Sequence, residues 1–335
     1  MRTFSGTRSA FLGILAIIAG MLASCQMRGA QTAQSPILRF FERSSGLICF
    51  VAPDGNVHLI DQKGGREKSL TSDARQDTDN TVVYAAPTWS PDGTHLAFTR
   101  YAVTADRTLA DAALVTAGVD GRSSARLLSG TRLHPFYLNW SPDSRKVSLL
   151  SQVEGESALE LGVATAGKEG DYHSLDRGAP YYWDWRGDGT AVVVHVNIGQ
   201  GGETGERLSV LTVDQLPARR DIKVDSGLFQ APNVSPDGGS VAYVVTTPTG
   251  FTLHLREIDG SGERAIASGI GGAYFSFSPG GTHIAYLSAT ISQPVPAGTI
   301  TIVDLKGHSA PRHLQEDPVF AFFWAPDGRT LAFLA

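Results

Sequence analysis

The sequence predicts an all-β protein, a β-propeller of four-stranded blades, six blades being the first reading. Three observations predict it. A heptapeptide recurs six times, with its fourth residue at positions 90, 141, 186, 235, 278 and 325, so the steps are 51, 45, 49, 43 and 47 residues. A period near 45 residues that holds several short apolar runs lies in the range of about 40–50 residues per propeller blade. Third, apolar residues after the first 25 positions do not follow the 3.6-residue period of a helix. One blade cannot bury both faces of its small sheet, so blades must stack around an axis.

The repeat has a physical grammar. Its copies begin at Pro87-Thr88-Trp89-Ser90-Pro91-Asp92-Gly93, Leu138-Asn139-Trp140-Ser141-Pro142-Asp143-Ser144 and Trp183-Asp184-Trp185-Arg186-Gly187-Asp188-Gly189. They continue at Pro232-Asn233-Val234-Ser235-Pro236-Asp237-Gly238, Phe275-Ser276-Phe277-Ser278-Pro279-Gly280-Gly281 and Phe322-Phe323-Trp324-Ala325-Pro326-Asp327-Gly328. An apolar strand runs into Ser-Pro-Asp-Gly and out into a second one such as Leu96-Ala97-Phe98. Proline presets φ, aspartate bonds its own backbone and glycine supplies φ > 0, which makes a tight hairpin of the two innermost strands. Two outer strands follow, read in the first repeat as residues 112–117 and 125–128 around Asp120-Gly121, and later as 300–304.

The ends are read separately. Residues 47–52, 56–61 and 66–70 predict the last three strands of a blade, and 320–324 with 329–334 the first two of another. Joined in one blade, they would close a ring of six. Both ends, however, supply a second strand, and residues 37–41 can serve as a first strand, so a seven-bladed or C-terminally truncated ring is the alternative.

Trp-Ser-Pro-Asp-Gly followed by Leu-Ala-Phe resembles the TolB-like (PD40) subclass of WD40-type repeats. The resemblance covers residues 46–335, with Ser144 for Gly, Arg186-Gly187 for Ser-Pro, Gly280 for Asp and Ala325 for Ser as departures, all in turns. It implies a propeller but no single function. Such repeats occur in the periplasmic TolB partner protein, in lipoproteins and in the propellers of prolyl-oligopeptidase-type peptidases.

Residues 1–25 read as an address. Arg2 and Arg8 precede an apolar run over 10–22, which is shorter than the roughly 20 residues of a spanning helix. The run ends in Leu22-Ala23-Ser24-Cys25, which resembles the bacterial lipobox and implies diacylglycerol on Cys25. Residues 26–45 are then a tether, and 46–335 the propeller. The expected location is the extracytoplasmic face of a bacterial membrane. The other cysteine, Cys49, lies in an apolar run and reads as a buried strand residue rather than a reactive thiol.

The chemistry the sequence offers is sparse. With 28 basic and 33 acidic residues and no basic stretch, nucleic acid is not an expected partner. No Gly-x-Ser-x-Gly elbow and no strand–helix alternation point to a hydrolase domain. His95 and His283 share a repeat position, and His308 and His313 lack the pattern of a zinc site, so no metal or cofactor is expected. The residue before the last apolar position of each inner strand is Thr88, Asn139, Asp184, Asn233, Ser276 or Phe323, and five of these six are polar. Strand alternation sets them apart from their apolar neighbours, near the central channel; hydrogen bonding between blades is the competing reading. Aromatic clusters at 134–137, 181–183 and 228–230 feed these strands. Tyr137, Asn139, Tyr182, Asp184, Phe229 and Asn233 are therefore the candidate binding residues, with Asp184 expected to face a wet channel because a carboxylate is costly to bury unpaired. The expected function is non-catalytic binding of a protein or peptide partner at the channel mouth. The alternatives are the propeller of a prolyl-oligopeptidase-type hydrolase without its catalytic domain, or a small-ligand or sugar funnel.

Overall fold

A computed structural model describes residues 46–77, 80–198, 205–214, 217–222, 231–247, 250–270, 272–290 and 297–334. All regular elements among them are strands, in seven antiparallel sheets. The first sheet holds β1 (Leu47–Val51), β2 (Val57–Asp61) and β3 (Lys68–Ser69). The second holds β4 (Arg75–Gln76), β5 (Asn80–Trp89), β6 (His95–Thr104), β7 (Leu109–Gly118) and β8 (Ser124–Gly130).

Four sheets of four strands follow. They are β9 (Leu133–Trp140), β10 (Lys146–Val153), β11 (Leu159–Thr165) and β12 (Tyr172–Gly178); then β13 (Tyr181–Trp185), β14 (Ala191–Asn197), β15 (Glu206–Thr212) and β16 (Arg219–Ile222). Next are β17 (Asn233–Val234), β18 (Ser240–Thr247), β19 (Gly250–Glu257) and β20 (Arg264–Ile270), then β21 (Gly272–Phe277), β22 (His283–Thr290), β23 (Ala297–Asp304) and β24 (Arg312–Val319). The last sheet is the pair β25 (Ala321–Trp324) and β26 (Leu331–Leu334). The sequence expectation of meandering four-stranded blades is met, and β4, which pairs with the start of β5, is an addition that no repeat signal announces.

The end sheets stay separate instead of joining into one blade: among the described residues β1–β3 and β25–β26 are distinct sheets. Both β1 and β26 occupy the second-strand position, and a single sheet has one such place.

The core lies between sheets. Leu96, Phe98 and Trp89 pack with Val57 and Leu59 of the first sheet, while Ala97 and Leu114 pack with Trp140 and Val147 of the third. Each of the five sheets between the first and the last thus buries two apolar faces against two neighbours, which is why period-2 strands here are nearly continuous in apolar residues.

The Ser-Pro-Asp-Gly turns explain the most regular part of the sequence. Ser90 Oγ accepts the His95 N–H at 2.9 Å and donates to Asp92 Oδ1 at 2.6 Å, and Asp92 Oδ1 accepts the Thr94 N–H at 3.0 Å. The same serine bonds recur at Ser141 and Ser235. The fourth turn residue has positive φ in all six copies, from 63° to 73°. Ser144 is the one non-glycine there, at 63°, and its Oγ accepts the Asp92 N–H of the preceding turn at 3.0 Å, which offsets the roughly 1–2 kcal/mol of a left-handed non-glycine residue. Gly187, which replaces proline, is imposed by close approach: a Cβ there would lie 2.2 Å from the Pro236 carbonyl oxygen of the next turn.

Candidate functional site at the axial mouth

The first-position strands β9, β13, β17, β21 and β25 each form one edge of their sheet; β5 lies beside β9, and β17 beside both β13 and β21, while β9 and β13 touch through Tyr137 with Trp183 and Asn139 with Trp185. Their last residues enter the turn ring, so their beginnings open at the opposite end. The candidate residues occupy two levels of these strands. Asn139, Asp184 and Asn233 stand one residue before the turn-proximal apolar position, and Tyr137 and Tyr182 stand three before it, nearer the mouth.

The turn-proximal level is a set of cross-blade staples. Asp184 is only 7% exposed, and its carboxylate accepts the Trp185 N–H at 3.0 Å, Asn233 Nδ2 at 3.0 Å and the Val234 N–H at 2.8 Å. Asn233 is buried in turn, and its Oδ1 accepts the Phe277 N–H at 2.9 Å. Three successive inner strands are thus linked through two side chains. The expectation that Asp184 faces a wet channel is corrected here: the carboxylate is tolerated in the interior because hydrogen-bond donors surround it. The main chain of the same level carries a second set of links. Trp140 Nε1 donates to the Thr88 carbonyl at 3.2 Å, Trp185 Nε1 to that of Asn139 at 3.4 Å and Trp324 Nε1 to that of Ser276 at 3.4 Å. Ser148, absent from the candidates, accepts both Trp183 Nε1 and Trp185 Nε1 at 2.9 Å. Its signal in sequence is a small hydroxyl between Val147 and Leu149 in an apolar run.

The mouth level is more open. Tyr137 and Tyr182 are half-buried, and so is Asn139 at the turn-proximal level. Tyr137 meets Trp183 of the next sheet edge-on, with ring centroids 5.1 Å apart, and burial raises the Tyr182 phenol pKa. Tyr274, which is not among the candidate residues, holds the matching place in β21, half-buried and edge-on to Phe322 at 4.7 Å; its signal in sequence is the Tyr274-Phe275 pair three and two residues before Phe277. Tyr181, by contrast, is structural: it is buried and its hydroxyl donates to Asp176 Oδ2 at 2.8 Å. Phe229 and Cys25 lie outside the described residues.

The remaining reactive groups are engaged locally. Ser90, Ser141, Ser235 and Ser278 are buried in turns. Thr94 and Thr282 hydroxyls lie 2.7 and 2.9 Å from Nδ1 of His95 and His283, so repeat position accounts for the matched histidines. Cys49 is half-buried beside Trp89, and burial, opposed by weaker hydrogen bonds from its own backbone and the Trp89 side chain, pushes its thiol up to about 11. No helix among the described residues is long and apolar enough to cross a membrane.

The order of the sheets can be set against known structures. An oligogalacturonate lyase in complex with manganese superposes with a TM-score of 0.56 at 13% identity, over 88% of this chain and 85% of that one. This chain has a β-propeller fold. A puromycin hydrolase mutant complexed with PGG gives the propeller a TM-score of 0.56 at 18% identity over 87% of this chain, and the propeller spans 48% of the hydrolase, about half its length. TolB from Acinetobacter baumannii is 15% identical over 94% of the propeller and 72% of its own length, with a TM-score of 0.45. No protein-family model and no curated protein matches the propeller.

Proposed function

We propose that this propeller is a non-catalytic, membrane-tethered module that binds a protein or peptide partner at its axial mouth. The observation that carries the reading is the half-buried level of Tyr137 and Tyr182, set above a level that the Asp184 and Asn233 staples close and where Asn139 alone is half-buried. Tyrosines on a rigid strand edge offer apolar area at low entropic cost together with a hydroxyl, a combination enriched where proteins meet. The turn serines support the non-catalytic part, because their hydroxyls serve turn aspartates and strand N–H groups. The extracytoplasmic, lipid-tethered location rests on the signal-like residues 1–24 and the lipobox-like Cys25.

A second reading, the propeller of a larger hydrolase, is favoured by the likeness to puromycin hydrolase over about half of that protein's length. Capture from solubilised membranes separates the two. Wild-type protein should retain a discrete protein partner and show no turnover of peptide or ester substrates. Tyr182→Ala and Asn139→Ala should lose that partner while keeping the wild-type urea midpoint. Unaltered capture by both variants, or turnover that one point substitution abolishes, would overturn the proposal.

A further inference from the structure

The second sheet carries a strand that no other described sheet has. β4 pairs with the start of β5, Arg75 with Val82 and Gln76 with Thr81, on the edge that first-position strands leave open elsewhere. First-position strands begin at the mouth, so β4 stands on its rim. Beside it lies the β1–β2 turn. The two enclose a cavity of about 190 Å³, lined by Pro53, Asp54 and Gly55 from the turn and by Arg75, Gln76 and Val82 from the strands.

One buried side chain ties the two walls together. Asn56 is 7% exposed. Its Nδ2 donates to Asp54 Oδ2 at 3.1 Å, and its Oδ1 accepts the Thr71 hydroxyl at 3.0 Å and the Ala74 N–H at 3.1 Å. Asp73 pins the strand side a second time, accepting the Tyr84 hydroxyl, and Arg100 Nη2 at 2.7 Å. The cavity is therefore preformed, and a ligand need not order its walls. The groups left unspent decide what fits. Both Asp54 oxygens are engaged: beyond the Asn56 amide, Oδ1 accepts the Asn56 N–H at 2.9 Å and Oδ2 lies 3.1 Å from His58 Nε2. Arg75 is exposed and meets a carboxylate only through Nε, 4.0 Å from Asp77 Oδ2, so its two terminal nitrogens have no partner among the described residues. The Gln76 amide has none among them either. The unspent capacity is thus mostly N–H donors, and a guanidinium fork matches a carboxylate through two parallel bonds. Pro53 and the buried Val82 add apolar surface for a short stem. Asp54 and Asp77 border the site, and their charges oppose a dianion such as phosphate. We infer that this cavity binds one carboxylate on a short aliphatic stem, held by Arg75 and Gln76. That chemistry belongs to a glutamate or aspartate side chain of the partner, or to a free short-chain acid. Only the first source rests on the functional proposal above.

Saturation-transfer NMR of the full chain in detergent micelles, with butyrate as the probe, tests the cavity. Butyrate should bind, and butyramide, its neutral isostere, should bind about tenfold or more weakly, as expected when charge-assisted bonds are lost. Arg75→Gln should weaken butyrate by a similar factor at an unchanged urea midpoint. Arg75→Lys, which keeps the charge and loses the fork, should fall between the two. Absence of butyrate binding, equal binding of the two probes, wild-type affinity in Arg75→Gln, or displacement of butyrate by equimolar inorganic phosphate would each overturn the inference. Capture from solubilised membranes then separates the sources. Weakened capture by Arg75→Gln assigns the carboxylate to the partner, and unchanged capture assigns it to a free acid. If the wild-type protein captures no partner, the functional proposal fails while the butyrate result stands.

Discussion

Replacing Asp184 by alanine should cost as much stability as removing a core tryptophan, although the side chain is a single carboxylate. It accepts two backbone N–H groups, of Trp185 and Val234, and the amide of Asn233, all within a site that is nearly closed to water. Alanine leaves three donors without an acceptor. A buried unsatisfied group costs about 1–3 kcal/mol, and because the three share one cavity that relaxes as a unit, the sum should fall near 3–5 kcal/mol rather than at three times the upper value. Trp140→Ala, which empties an inter-sheet position and frees the Thr88 carbonyl, should cost about 3–5 kcal/mol as a large-to-small change. Urea denaturation followed by tryptophan fluorescence compares the variants through their midpoints. Asp184→Ala and Asn233→Ala should be strongly non-additive, with a coupling of about 0.5–3 kcal/mol, since both cut the same chain of bonds from β13 through β17 to β21. A loss under about 1 kcal/mol for Asp184→Ala, or strict additivity with Asn233→Ala, would refute the staple.

Further outcomes follow from the turns and the ends of the chain. Gly187→Pro restores the repeat consensus yet should destabilise, by about 2 kcal/mol or more, because ring atoms would press on the Pro236 carbonyl; a rise in the urea midpoint would refute the close-approach argument. The Ser235 hydroxyl and the Gly239 N–H hold Asp237 below the usual carboxylate range; burial alone would raise Asp92, but the bonds from Ser90 and Thr94 outweigh it and lower its pKa. A carboxylate with a depressed folded-state pKa contributes fully above the unfolded value of about 3.9, and its contribution is lost as pH falls through the folded pKa. Stability should therefore decline below about pH 4, and Ser235→Ala should flatten that decline in acid titrations monitored by fluorescence. Cys25→Ser should abolish labelling by a radioactive fatty acid and move the protein out of the membrane fraction; persistent labelling would remove the anchor from the functional proposal.

Much of the propeller is legible in the sequence because its information is local. Ser90, Pro91, Asp92 and Gly93 specify a turn through bonds spanning five residues, and the repetition of that turn at a blade-length period is enough to predict the stack of sheets. The departures also fall in turns, but the reasons for them are not local. Ser144 is explained by Asp92 in the preceding turn and Gly187 by Pro236 in the next one, contacts between residues about 50 positions apart. The candidate site divides along the same line. The sequence by itself determined that a polar residue precedes the last apolar position of most inner strands, and that tyrosines stand upstream. Only the tertiary structure decided where those side chains go. Alternation along a strand assigns a residue to one face or the other, but in a stacked propeller both faces meet a neighbouring blade, so the same pattern serves a solvent-facing ring and a buried staple. Asp184 and Asn233 are staples because the Val234 and Phe277 N–H groups of the next sheets stand within 2.8 and 2.9 Å of them, whereas Tyr137, Asn139 and Tyr182 keep part of their surface open.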